Sequence, residues 1–126
     1  MNADLKIEIE QAQRQGKDPI TVFHLRGWLD AQSEEQLLAA ARKAYDAGAR
    51  RLILDLAEID TLTSAWMRAM QKVYKLFTPG EEHFKKAYLK LCNAPPQIYH
   101  VLGITGFLQN IPMYESLHAA FDSYEE

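Results

Sequence analysis

Two neighbouring hydroxyls, Thr63 and Ser64, stand where an apolar run gives way to a helical pattern. The run Leu52-Ile53-Leu54-Asp55-Leu56 suits a strand covered on both faces. Met67, Met70, Tyr74 and Phe77 then recur at spacings of three and four, as one face of a helix requires. A hydroxyl at such a junction accepts from the free N–H groups of the first helical turn, so the plainer reading of the pair is a helix cap. The sharper reading is a phosphorylation site, because the same N–H groups and the positive end of the helix dipole also stabilise a phosphate.

Other reactive residue types are scattered. Cys92 is the single cysteine and lies in the apolar run Ala87-Tyr88-Leu89-Lys90-Leu91-Cys92, with no histidine or second cysteine at ligand-like spacing, so a buried strand thiol is expected. His24 alternates with Phe23 and Leu25 in a second apolar segment and reads as an exposed or hydrogen-bonded strand histidine. Glu34 and Glu35 fit the first turn of a helix as favourable charges better than they fit a paired acid and base. Open α/β sheets do bind ligands at strand carboxyl ends, which keeps an enzyme or nucleotide-binding protein in view. Against it, the chain has no GxGxxG, no GxxxxGK[ST] and no nucleophile–base pair at a readable spacing. No cofactor or metal is expected.

The elements that must position Thr63 and Ser64 can be read in order. Leu5 to Glu10 alternates apolar and charged residues, the period of a half-exposed strand, and Ile20 to Leu25 reads as its antiparallel partner across a polar turn. Ser33-Glu34-Glu35-Gln36 has the spacing of a capping box; the helix it starts turns Leu37, Leu38, Ala41, Ala44 and Tyr45 inward and stops at Gly48. After the central strand and its helix, Thr78-Pro79-Gly80 breaks the chain, and Ala87 to Cys92 makes another strand. Pro95 and Pro96 precede a short helix ending at Gly103, Ile111 to Tyr114 suits a short edge strand, and Ser116 to Tyr124 closes as a helix. Strands alternating with helices after a hairpin give an α/β sheet with parallel and antiparallel parts.

At 126 residues the chain has the length of one domain, 1–126, that buries roughly two-thirds of its unfolded surface. A net charge of -3 gives no electrostatic reason to expect nucleic acid or an anionic membrane surface as partner. No window approaches the roughly 20 apolar residues of a membrane helix, and the first residues lack the apolar core of a signal peptide. A cytoplasmic protein without membrane insertion is expected.

The order and spacing of these motifs resemble the STAS domain, which bacterial anti-sigma factor antagonists share with the tails of sulfate transporters. The match rests on the junction from Leu52 to Met70, on Gly27-Trp28-Leu29-Asp30, and on Leu102-Gly103-Ile104-Thr105-Gly106-Phe107, and it runs from about Leu5 to Tyr124. It implies a mixed sheet of about four to five strands with about four helices packed mainly on one face. It also implies an adaptor and not an enzyme: a protein that binds an anti-sigma factor which is itself a kinase, and that is released by phosphorylation at the start of the helix after the third strand. In the usual pattern that loop reads Asp-Ser-Ser-Gly with the second Ser as acceptor, whereas here Thr63, Ser64, Ala65 and Trp66 occupy those places. The acceptor the resemblance implies is therefore Ser64, with Thr63 second. The partner-facing surface it implies comprises Asp30, Asp60, Thr63, Ser64, Ala65, Trp66 and Arg68. Trp66 reads either as a buried ring or as an exposed anchor for the partner. The alternative within the family is a constitutive scaffold subunit, of a stress-signalling assembly or a lipid-transport ABC ATPase, with no phosphorylation cycle; a homodimer is a further arrangement the sequence allows.

Overall fold

A computed structural model of the chain describes residues 5–27, 31–59, 61, 63–77, 88–106 and 111–124. Strands β1 (Lys6–Arg14) and β2 (Lys17–Gly27) form an antiparallel hairpin, which turns at Gly16 with φ +73°. β3 (Leu52–Ile59), β4 (Leu89–Cys92) and β5 (Met113–Tyr114) then add in parallel, giving the sheet order β1-β2-β3-β4-β5. The helices are α1 (Ala31–Asp46), α2 (Ser64–Phe77), α3 (Pro96–Ile104) and α4 (Leu117–Asp122). This is the α/β fold expected, with five strands and four helices among the described residues.

Side chains on a strand alternate between faces, and β3 satisfies both. Leu52, Leu54 and Leu56 join a core built with Leu37 and Ala41 of α1, Met70, Val73 and Phe77 of α2, and Ile98 and Leu102 of α3. Ile53 joins the opposite core with Ile20, Val22, Cys92, Ala120 and Tyr124, the last two from α4 and the residues after it. Three helices thus cover one face and α4 covers the other. The inner face of α2 is Ala65, Trp66, Ala69, Met70, Val73 and Phe77. Met67 and Tyr74, expected inward, are half-buried on its flank.

Local chemistry sets the helix ends. α1 stops at Gly48, φ +109°, where Gly48 N–H donates to Tyr45 O and Ala49 N–H to Ala44 O, each at 3.0 Å; this closing pair of bonds needs the left-handed residue that glycine supplies. Ser116 caps α4 by accepting from Ala119 N–H at 3.1 Å. The capping box expected at Ser33 does not form as such, because α1 begins two residues earlier and Ser33 is a buried residue inside its first turn. Gln36 does not reach back; its Nε2 donates to Leu5 O at 3.0 Å and fastens the start of β1 to α1. The break expected at 78–80 lies outside the described residues.

The end of the chain is tied to the sheet by polar groups. The Tyr124 hydroxyl lies 2.6 Å from Tyr88 O and 3.1 Å from Leu52 O. Buried Lys90 donates to Ser123 Oγ at 2.6 Å and sits 3.9 Å from the Tyr124 ring centroid, so its charge meets a hydroxyl and a π face. Replacing Tyr124 by Phe keeps the ring and removes the only O–H that this side chain offers those carbonyls. Urea unfolding should show a loss of about 1–2 kcal/mol with an unchanged denaturant slope; an unchanged midpoint would show that the hydroxyl adds nothing.

Candidate functional site

The junction between β3 and α2 follows from the sequence around it. Thr63 is the flanking residue of α2, and its Oγ1 accepts from Trp66 N–H at 3.1 Å while its carbonyl accepts from Met67 N–H at 3.1 Å. The Thr63 hydroxyl is thus engaged as a cap. Ser64 is the first helical residue and is exposed. No acidic residue occupies the first turn of α2, so the positive end of its dipole is not offset there. Of the two hydroxyls, only that of Ser64 combines exposure with a place outside the cap.

Trp66 and Ala65 correct the expectation of a partner-facing pair. Trp66 is fully buried and Ala65 is 6% exposed, because both lie on the stripe that continues through Ala69, Met70 and Val73 into the core. The indole of Trp66 therefore fills the core, while Ser64 two residues before it is exposed. Arg68 lies on the outer side of the same helix. Asp30 and Asp60 fall outside the described residues.

Arg68 is not a lone cation. Its guanidinium meets Glu34 Oε1 at 3.2 Å, and Lys72 Nζ meets Glu34 Oε2 at 2.9 Å. Glu34, in the first turn of α1, is only 10% exposed at its side chain, whereas Arg68 and Lys72 are 54% and 51% exposed. The hydrogen bond from Lys72, aided by Arg68, outweighs the cost of burial and holds the Glu34 carboxyl below its ordinary pKa. Glu34, expected as a favourable charge in the first turn of a helix, stands there and also joins that turn of α1 to α2.

A second polar group lies on the opposite face of the sheet, beyond the cover of α4. His24 Nδ1 is 2.7 Å from Asp55 Oδ2 and its Nε2 is 2.8 Å from Glu10 Oε1; Asn93 Nδ2 donates to Asp55 Oδ1 at 3.0 Å. Asn93 holds a left-handed backbone, φ +61°, a conformation that asparagine tolerates better than most residues. Partial burial pulls the His24 pKa down, but hydrogen bonds to Glu10 and Asp55 and their negative charge outweigh it and leave it raised. Beside this group a recess of about 350 Å³ is lined by Lys6, Glu8, His24, Arg26, Asp55 and Glu58. A hollow of about 280 Å³ on the flank of α2 is lined by Met67, Gln71, Tyr74, Lys75, Thr105 and Ile111. Ile104 and Tyr99 of α3 are exposed, by 70% and 53%.

Burial, with the charge of Asp55, pushes the Cys92 thiol up to about 12, which leaves it protonated and poorly nucleophilic at neutral pH. Among the described residues no group of three or more His, Cys, Asp or Glu is placed to hold a metal ion. No described helix is long and apolar enough to cross a membrane.

Comparison with known proteins agrees with this geometry. The family model for the STAS domain matches residues 11–120. A protein of Bordetella bronchiseptica with the provisional name anti-sigma factor antagonist BtrV is 31% identical over 108 residues, covering 86% of this chain and 89% of that one. The crystal structure of an anti-sigma factor antagonist from Mycobacterium paratuberculosis superposes with a TM-score of 0.79 at 17% identity, over 100% of this chain and 98% of the other. The phosphorylated form of the Bacillus cell fate determinant SpoIIAA superposes with a TM-score of 0.59 at 18% identity, over 94% and 98% of the two chains. At those identities the two structures establish a shared fold.

The His24 group carries a pH dependence of defined sign. A neutral imidazole donates from one nitrogen only, whereas the imidazolium donates to both carboxylates. The folded pKa is raised, so the stabilisation is complete below the unfolded value of about 6.5 and is lost as pH rises through the folded value. An NMR titration should place the His24 midpoint above about 6.5, and Glu10→Gln or Asp55→Asn should lower it. A midpoint at or below that value in the unaltered protein would show that desolvation wins.

Proposed function

The chain belongs to the STAS domain family, and on that footing we propose that it is a non-enzymatic regulatory adaptor. It binds a protein partner of the anti-sigma factor kinase class through the surface around the start of α2, and it releases that partner when Ser64 is phosphorylated. It works in the cytoplasm. The observation that carries this reading is the division of labour between the two hydroxyls: Thr63 caps α2, and Ser64 stands exposed at the positive end of the helix.

The modification moves a phosphoryl group from ATP to Ser64 Oγ, which gives up its proton, and ADP leaves. The product adds nearly two negative charges to a surface that must shed water on binding, and this weakens the complex without breaking into the core. Helix α2 itself gains, since a phosphate at its first turn is favoured by the free N–H groups. The half-buried Met67 and Tyr74, one and nearly three turns beyond Ser64, supply apolar area on the flank of α2, with Ile111 also lining the hollow there.

A second reading, a constitutive scaffold subunit, is favoured by Ala65. It stands where the usual acceptor serine stands, and it is buried and has no hydroxyl. Tandem mass spectrometry on the protein isolated from its own host separates the two. The switch predicts substoichiometric phosphate on Ser64 and a kinase-like partner beside the unmodified form alone. An unmodified protein in a complex that ATP does not dissolve would establish the scaffold. With the partner in hand, Ser64→Asp should weaken binding at least tenfold at unchanged stability. Thr63→Ala should instead lower stability by about 1 kcal/mol through loss of the cap. Equal effects on binding from both variants would remove the distinction between the hydroxyls.

A further inference from the structure

Arg68 stands four residues after Ser64, so the two side chains are neighbours on the surface of α2, one turn apart. It is the first basic residue of that helix, and Lys72 lies eight positions from Ser64, about 12 Å further along the axis. At present Arg68 makes the longer of the two bonds that Glu34 receives, 3.2 Å against 2.9 Å from Lys72, and its side chain is more than half exposed. A guanidinium in that position can turn from the carboxylate of α1 to a group on its own helix without disturbing the core.

We propose that Arg68 reads the modification: a phosphate on Ser64 draws the guanidinium away from Glu34 and leaves that carboxylate to Lys72 alone. This rests on the reading of Ser64 as the modified residue, and it adds how the change is carried to α1. The phosphate wins the exchange for two reasons. It presents nearly two charges and three acceptor oxygens to a planar fork that fits phosphate bidentately. It also sits N-terminal to the cation at the i, i+4 spacing, the more favourable orientation along a helix. Glu34 is the fourth residue of α1, so the loss of one of its two cations is felt at the N-terminal end of that helix. Lys72 is too distant to take the phosphate and keeps the two helices joined. Arg68 is a positioning residue in this scheme, converting a charge added to α2 into a weaker hold on α1.

The test uses the full chain with phosphoserine incorporated at position 64 during translation, so that its outcome does not depend on any kinase. The second ionisation of the phosphate is followed by 31P NMR, and the Glu34 side-chain carboxyl by 13C NMR. In the unaltered background the phosphate should ionise roughly half a pH unit lower than in Arg68→Ala. Arg68→Lys should recover part of the difference, and Lys72→Ala, which keeps Arg68, should leave the phosphate midpoint where it is in the unaltered background. The Glu34 midpoint should rise on phosphorylation in the unaltered background and stay put in Arg68→Ala, where the cation is already gone. Equal phosphate midpoints with and without Arg68, or a Glu34 midpoint that ignores the phosphate, would overturn the exchange even if Ser64 is phosphorylated in the host. The reverse result, a clear exchange in this protein beside an unmodified Ser64 in the host, would sink the regulatory reading and leave the geometry standing.

Discussion

Strand β3 is the middle of the sheet, and its residues are apolar toward both faces. Leu52, Leu54 and Leu56 look one way and Ile53 the other. A strand of this kind is stable only when both sides are covered, and the crossover helices of a parallel sheet are what cover it. The three-helix layer answers the leucines; α4, clamped by Tyr124 and Lys90, answers Ile53. Asp55 marks the limit of that cover. It follows Ile53 on the same face, and because α4 does not extend over it the site remains open to water and is filled by His24, Glu10 and Asn93.

The same constraint fixes the surface at the start of α2. Once Met70, Val73 and Phe77 are committed to the core, helical spacing sends Ala65 and Trp66 inward and turns Ser64 and Arg68 outward. Trp66 is therefore a packing residue even though it stands in the motif that identifies the family. The departure that bears on the proposed switch is Ala65, which is buried and carries no hydroxyl, so that Ser64 is the exposed hydroxyl at this end of α2.

Much of this was legible in the sequence. The period of two in β1, the apolar run of β3, the helical stripe of α2 and the glycine that ends α1 are local patterns, and local patterns survive without knowledge of the fold. The misreadings came where the partner lies far along the chain. Ser33 and Gln36 have capping-box spacing, yet Gln36 is drawn to Leu5, 31 residues away. Glu34 is legible as a first-turn acid and stands as one, but its partners Arg68 and Lys72, 34 and 38 residues on, are invisible to any window. His24 reads as an exposed or hydrogen-bonded strand histidine and is hydrogen-bonded, but neither Glu10 nor Asp55 can be named without the register of three strands. Trp66 was balanced between core and surface because the phase of α2 rests on which of two overlapping apolar stripes is buried.

The two charged groups lie in different layers, and this decides what each can do. The carboxylates around His24 belong to β1 and β3, adjacent to β2 on either side, so their bonds hold the register of the sheet itself. The Glu34 group joins two helix ends above the core, and both its cations are more than half exposed. Ion pairs of that second kind contribute little to global stability, typically about 0–1 kcal/mol each. The proposed exchange at Arg68 leaves Leu37, Ala41, Met70 and Val73 to keep the helices seated. The proposed switch draws on this separation: the charge it adds falls among exposed groups, and the apolar layer beneath them stands between that charge and the sheet.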